Sequence, residues 1–458
     1  MSFKFEVNFN GWFARILGLI NKFNIGHLLL LSFGLHLFAI ASTPDSYVFD
    51  EAHYIPAARA TMNMQAANLE HMPLVKVLIA LTMKMFGDWW FSWRLPIVFF
   101  SVASLLAFYL LSKNFMSRKY ALLATSFLSF DVMFFIHGSI FVLDMPALFF
   151  GLLGLQLYFA KRYKWMAVAL ALSFLMKELG LFFMFTVVLY HFAHNFRIEK
   201  HAHWKLKGFT KKAVAVIFMS SMLFTIVGGG GLWIYDLVYK PTTNPIVVNN
   251  VHVNIVQDPN GTVLTTQTWT EITTIWSYIT NPVDHLKWAW SYFTTLVPAV
   301  ETPDKDHRPP WGWIMPYGDV FNSPHYLTVA VTVGDRSFRT LDWIAQINPL
   351  IAYGYLPFMF LTLFDFARKK GRPCDYLYSI WGIVSYLPWL LDGMFFQRMT
   401  FNYYFLYTIP AICLGWGWFY SRLGQRIQNR TVKYGLILGH LALIIIFFLY
   451  FFPLKVFR

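Results

Sequence analysis

The chain has 458 residues, of which 57% are hydrophobic, 20% aromatic and only 13% charged, with a formal net charge of +14. That is too little charge to cover the surface of a soluble protein of this length, so the composition excludes a water-soluble globule and reads as a polytopic membrane protein. The excess of base lies in short loops between apolar segments, where the orientation bias of membrane proteins accounts for it without nucleic acid.

Residues 1–25 carry Lys4, Arg15 and Lys22 around the apolar run 12–20, the pattern of an interfacial helix and not of a cleaved signal. A first span is expected at 26–41. The loop 42–92 opens with Phe49-Asp50-Glu51-Ala52-His53-Tyr54. Two adjacent carboxylates this close to a span are disfavoured unless they serve something, although a wet loop also accommodates them. Residues 73–86 form an amphipathic stretch bearing Lys76 and Lys84, which suits the membrane surface, and Trp89, Trp90 and Trp93 form an aromatic belt. Further spans are predicted at 94–112, 120–136, 141–160, 165–176, 179–196, 213–235, 347–366, 376–392, 401–420 and 434–452, about eleven in all.

With a cytoplasmic N-terminus, the inner loops hold Lys113, Arg118 and Lys119; Lys161, Arg162 and Lys164; the bases between Arg197 and Lys212; those from Arg368 to Arg372; and those from Arg422 to Lys433. Every basic cluster then falls on one side, and most acids fall outside. The chain divides into a transmembrane module 1–235, an extracytoplasmic segment 236–346 too long for a mere connection, and a C-terminal transmembrane region 347–458 of four helices. Within the outer segment, the alternation at 251–256 and 262–264 around Asp258-Pro259-Asn260-Gly261 predicts a hairpin, 327–333 a strand, and 276–296 a helix on the membrane surface. Asn260-Gly261-Thr262 matches an N-glycosylation acceptor, and Gly228–Gly231 reads as a packing or bending site in a span. Cys374, in a basic turn, and Cys413, inside a span, are expected at different depths, so no disulfide is predicted and no metal motif uses them.

The order of motifs resembles the protein O-mannosyltransferase family. Phe-Asp-Glu-Ala-His-Tyr at 49–54 and His71-Met72-Pro73-Leu74-Val75-Lys76 are similar to its first-loop signature. Trp93-Arg94-Leu95-Pro96, Phe130-Asp131, Leu143-Asp144-Met145-Pro146, Pro310-Trp311-Gly312-Trp313, Leu387-Pro388-Trp389 and Arg398-Met399-Thr400-Phe401-Asn402-Tyr403-Tyr404 continue the likeness to about residue 410. Three features depart from it. There is no room for the family's eukaryotic β-trefoil insertion. His137-Gly138-Ser139 stands where the family has Gln-Ser-Arg, and Glu70-His71-Met72-Pro73 leans towards the related lipid A aminoarabinose transferases. The resemblance implies an all-α membrane protein of the GT-C glycosyltransferase fold, to which the strand and helix pattern of 236–346 adds a small α/β outer-face domain. It also implies an active site at the outer face and a polyprenyl-phosphate sugar as donor, mannose in particular.

The chemistry of that class needs one base and some cations. A lipid phosphate leaves readily because its last proton has a pKa of about 6, unlike the leaving group that makes glycosidases use two carboxyls. Asp50 is the expected base and Glu51 its partner or a bystander; Arg398, His71 and Lys76 are the candidates to hold donor phosphate, though Lys76 also reads as snorkelling. His53, Asp144 and Tyr403 are expected substrate contacts, and Lys177-Glu178 a local ion pair. No cofactor and no metal cluster are predicted, without excluding a divalent ion. The expected partners are the lipid-linked donor, membrane lipid and a hydroxyl acceptor: Ser or Thr of exported protein, or else a glycan, lipid-linked oligosaccharide or lipid A-like molecule. A dimer stays open. A non-catalytic transporter or flippase is the remaining reading, against which stand the outer-loop position of the carboxylates and the lack of internal repeats. The compact length favours a prokaryotic cell membrane over the endoplasmic reticulum.

Overall fold

The computed structural model describes residues 22–41, 47–195, 197–199, 205–208, 210–241, 246–257, 263–275, 282–295, 310–315, 325–333, 336–368, 373–396 and 400–452. The chain is mostly helical: α1 Ile25–Ala41, α2 Glu51–Met62, α3 Leu74–Phe86, α4 Trp90–Ser112, α5 Arg118–Ser129, α6 Val132–His137, α7 Asp144–Phe159, α8 Tyr163–Met176, α9 Leu181–Asn195, α10 Lys211–Val238, α11 Pro282–Thr295, α12 Pro349–Ala352, α13 Tyr355–Ala367, α14 Pro373–Leu391, α15 Ile409–Arg426 and α16 Arg430–Phe451. Helix occurs at every predicted span, but three of them are split, 401–420 into a 3-10 helix Asn402–Tyr407 and α15. Residues 120–136 divide into α5 and α6 because Asp131 turns its side chain back to accept from the Phe134 N–H (2.9 Å) and starts a new helix. Residues 347–366 divide into α12, started by Asn348 accepting from Leu350 N–H (3.1 Å), and α13.

Helices α4, α10 and α16 are each long and apolar enough to cross a membrane. On α10 and α16 much of that surface faces outward, with Phe218 65%, Ile234 61% and Tyr450 81% exposed. A helix that is apolar on its outer face as well as its inner one suits lipid and not water. The protein is a membrane protein. Inside, α7 packs on α4 and α8, α8 on α10, α9 on α14, and α15 on α5. The contacts of α7 are close because glycines make them: a Cβ at Gly154 would stand 2.4 Å from Leu170, and one at Gly151 2.1 Å from Phe183.

The strands are all in two-stranded pairs. β1 Gln65–Ala66 runs parallel to β4 Lys240–Pro241, and β2 Arg197–Glu199 antiparallel to β3 Lys205–Gly208. β5 Ile246–Gln257 and β6 Val263–Ile275 form the predicted hairpin, longer than the alternation indicated, while the turn carrying Asn260-Gly261-Thr262 lies outside the described residues. β7 His325–Val333 pairs with β8 Arg336–Ala345, a strand the sequence hid because Arg336, Arg339 and Asp342 interrupt its apolar pattern. The predicted interfacial helix lies almost wholly outside the described residues. Cys374 and Cys413 are buried and unbonded.

Candidate active site

The turn that carries the two carboxylates is strained. Phe49 has φ 53°, a left-handed conformation that a bulky side chain adopts only when its surroundings enforce it. Its ring meets the edge of Tyr403 with centroids 5.4 Å apart. After this turn α2 begins, and the neighbouring carboxylates part. Asp50 lines a cavity of about 650 Å³. Glu51 turns inward and is fully buried.

Glu51 is a structural knot. Arg94 donates to it from Nε (Oε1, 2.8 Å) and Nη2 (Oε2, 2.6 Å), the Val48 N–H donates to Oε2 (2.8 Å) and the Phe141 N–H to Oε1 (2.9 Å). One carboxylate thus joins the first loop, the start of α4 and the irregular buried segment between α6 and α7. Arg94 has no exposed surface either, so the pair is a fork-to-fork ion pair in a dry setting.

Around Asp50 the cavity wall interleaves ionic and aromatic groups. Tyr54 donates its hydroxyl to Asp50 Oδ2 (3.2 Å). Burial raises the Asp50 pKa above its ordinary 3.8, although Lys177 and His71 work in the opposite direction. Lys177 Nζ sits 2.9 Å from both oxygens of Asp144 and 5.6 Å from the centre of the Tyr403 ring. His71 Nδ1 lies 3.3 Å from Glu178 Oε1. Burial alone would push Glu178 up, but His71 and Lys177 hold its carboxyl down, at about 2. Glu178 Oε2 is buried with no hydrogen-bond partner among the described residues, and Glu178 lines the cavity. Trp389 and Tyr404, also in the wall, stack with centroids 4.2 Å apart. The helix predicted at 276–296 is observed as α11, and its residues Leu286, Ala289, Trp290 and Tyr292 form another wall of the cavity, so it covers the site besides suiting the membrane surface. It is tied to α10 by His285 and Asp236, 2.7 Å apart and buried.

No protein-family model and no curated protein sequence matches the chain. Solved structures do resemble it. The S. cerevisiae protein O-mannosyltransferase Pmt1-Pmt2 complex bound to the sugar donor aligns over 93% of this chain and 89% of that one, with TM-score 0.66 and 13% identity. ArnT from Cupriavidus metallidurans bound to undecaprenyl phosphate aligns over 95% of this chain and 64% of its own, with TM-score 0.51 and 11% identity. The Archaeoglobus fulgidus oligosaccharyltransferase aligns over 93% and 55%, with TM-score 0.50 and 10% identity. The chain has the GT-C glycosyltransferase fold.

Within this GT-C fold the residues singled out from sequence separate into distinct places. Asp50, His53, His71 and Tyr403 line one cavity, His53 at its exposed rim. Asp144 stands behind it as the partner of Lys177. Lys76 differs from the expectation of a phosphate ligand or a snorkelling side chain. It is fully buried, its ammonium donates to the carbonyls of Asn68, His71 (2.9 Å) and Ala67 (3.4 Å), and it is not part of the cavity wall. It therefore staples the loop that presents Asn68, Glu70 and His71. Lys177-Glu178 also differs from the expected local pair, since each takes a distant partner. Arg398 lies outside the described residues. His137-Gly138-Ser139, in place of the family's Gln-Ser-Arg, takes part in a buried network: His36 bridges Ser139 Oγ (2.7 Å) and Ser101 Oγ (3.0 Å). Lys177, Glu178, Trp389 and Tyr404 are cavity residues that sequence reasoning left without a site role; Trp389 and Tyr404 were marked only as motif matches. Among the described residues no cluster of His, Cys, Asp and Glu is arranged to hold a metal ion.

Proposed function

We propose that the protein is an inverting glycosyltransferase that moves mannose from a polyprenyl-phosphate-mannose donor to a Ser or Thr hydroxyl of exported protein. The observation that carries this reading is Asp50, presented to a cavity in a GT-C fold with its pKa raised beside fixed cations. A raised pKa brings a carboxylate nearer the working pH, where it accepts a proton with more driving force. In the proposed displacement the acceptor oxygen bonds to the anomeric carbon as the bond to the phosphate oxygen breaks. The hydroxyl proton goes to Asp50, and the polyprenyl phosphate leaves without a general acid. Lys177, with Arg398, neutralises the charge that develops on the phosphate, and His71 offers it a hydrogen bond. Glu178 Oε2, an acceptor without a protein donor among the described residues, takes a sugar hydroxyl, and the Trp389–Tyr404 stack offers the ring a flat apolar face.

The rest of the reading follows the same class. About eleven crossings, a cytoplasmic N-terminus and a site on the extracytoplasmic face agree with the distribution of base along the chain. The strand pairs and α11 between 236 and 346 fit a small α/β outer domain between the transmembrane regions 1–235 and 347–458. No cofactor beyond the donor is invoked, and the membrane is proposed to be a prokaryotic cell membrane. A second reading keeps the donor and changes the acceptor to a glycan or lipid. It is favoured by the His36–Ser139–Ser101 network in place of the expected arginine. Membranes containing the protein, given labelled polyprenyl-phosphate-mannose, distinguish the two. Label in protein hydroxyls supports the first reading, label in glycan or lipid the second, and label in none of them contradicts the donor.

A further inference from the structure

A second cavity, of about 600 Å³, lies at the other end of the same helices. α8 places Tyr163 in it and Phe174 in the first; α9 places His191 and His194 in it and Leu181 and Phe182 in the first; α14 places Cys374 in it and Trp389 in the first. The 15 residues of α9 rise about 22 Å, so the two cavities open at opposite ends of the helix bundle.

The lining of this second cavity is one-sided in charge. Lys161, Arg422, His191 and His194 contribute to it, and among the described residues no carboxylate lines it. Lys161 is held there by a left-handed backbone (φ 59°), in a tight turn where its N–H donates to Tyr158 O (2.9 Å). Arg422 lies over the Trp418 ring, 4.6 Å from its centre, and uses one nitrogen on Asp365. The buried His191 has its Nδ1 2.8 Å from the Tyr158 hydroxyl. Phe115 and Phe159 border these groups. Lys113, Arg118, Arg162 and Lys164 lie nearby in sequence and outnumber Asp365 and Asp375, so the face carries an excess of positive charge. Basic pockets between membrane helices, apolar on one side and cationic on the other, suit phosphate-bearing lipid headgroups.

We propose that this cavity binds the phosphate headgroup of an anionic membrane lipid, separately from the donor site. Its position at the ends of membrane helices, with aromatic rings beside the cations, favours a lipid over a soluble phosphate. The test uses the full chain in nanodiscs of neutral phosphatidylcholine with or without phosphatidylglycerol, reading retained lipid by native mass spectrometry and the thermal midpoint in parallel. Phosphatidylglycerol should be retained over phosphatidylcholine by about tenfold and should raise the midpoint. The preference should be lost in Lys161→Asn, which keeps a residue tolerant of the left-handed backbone, and in Arg422→Gln. It should survive in Lys164→Gln, on the same face but outside the cavity. Should Arg422→Gln fail to fold because Asp365 loses its partner, Lys161→Asn, exposed and outside every ion pair among the described residues, decides the matter. Equal retention of the two lipids overturns the proposal, as does a loss in Lys164→Gln equal to that in Lys161→Asn. A midpoint rise with inorganic phosphate in neutral nanodiscs as large as with phosphatidylglycerol overturns the lipid assignment.

Discussion

Replacing Glu51 by glutamine separates the roles of two adjacent carboxylates. The wild-type side chain accepts four hydrogen bonds, two from Arg94 and one each from the Val48 and Phe141 N–H groups. Glutamine keeps one accepting oxygen and turns an amino group towards donors, and Arg94 loses its carboxylate in a fully buried setting. Breaking a buried pair in this way costs about 3–5 kcal/mol, a large part of the roughly 5–15 kcal/mol that holds a typical domain folded. Unfolding of the purified protein in micelles, followed by tryptophan fluorescence against temperature or denaturant, should show a clear fall in midpoint for Glu51→Gln. Most of it should return in Glu51→Gln/Arg94→Met, where neither charge is left buried. Asp50→Asn should behave in the opposite sense. Because the folded state raises the Asp50 pKa, its ionised form is disfavoured by folding, so a neutral replacement keeps or improves stability while transfer is lost. A Glu51→Gln protein with a wild-type midpoint and no transfer would refute this division and put Glu51 in the chemistry.

Transfer should fall on acidification through a pKa above the ordinary aspartate value of 3.8, because Asp50 must be ionised to accept a proton; an acid limb of kcat/KM at or below 3.8 contradicts the assignment. Lys76→Met removes the ammonium that joins the part-buried carbonyls of Ala67, Asn68 and His71, leaving Asn68 O only its bond from the His71 N–H (3.4 Å), and so loosens the loop. Limited proteolysis should cut the 64–73 loop faster and the donor KM should rise, whereas unchanged protection would leave the staple without effect. The stability that Glu178 draws from its depressed pKa is present above 4.5 and lost as pH falls towards 2. The midpoint difference between wild type and Glu178→Gln should therefore shrink over that window, and a difference that grows there would contradict the His71–Glu178 pairing.

Spans and carboxylates were legible because they rest on local signals: apolar runs, charge spacing and the sheer oddity of Asp50-Glu51 beside a membrane. Direction was not. Which of the two acids enters the cavity depends on the left-handed Phe49, and phenylalanine is among the residues that sequence reasoning would not place there. Lys177-Glu178 reads as a local pair, yet Lys177 is extended (φ −156°, ψ 142°), so the two successive side chains point to opposite sides and find Asp144 and His71 instead. Lys76 on an apolar helix reads as a residue reaching for headgroups. The loop carbonyls that claim it are presented by a turn with Asn68 at φ 54°, which the sequence marks only by the presence of asparagine. The Trp389–Tyr404 wall joins two segments whose partnership no spacing reveals.

The most direct test of the proposed chemistry is the rate of mannose transfer by Asp50→Asn at saturating donor, with donor binding and unfolding midpoint measured on the same preparation. Loss of a positioned base should lower the rate by about 10² to 10⁴, with donor affinity and midpoint near the wild-type values. Transfer within a few-fold of wild type in a folded, donor-binding Asp50→Asn protein would contradict the assignment of Asp50 as the base.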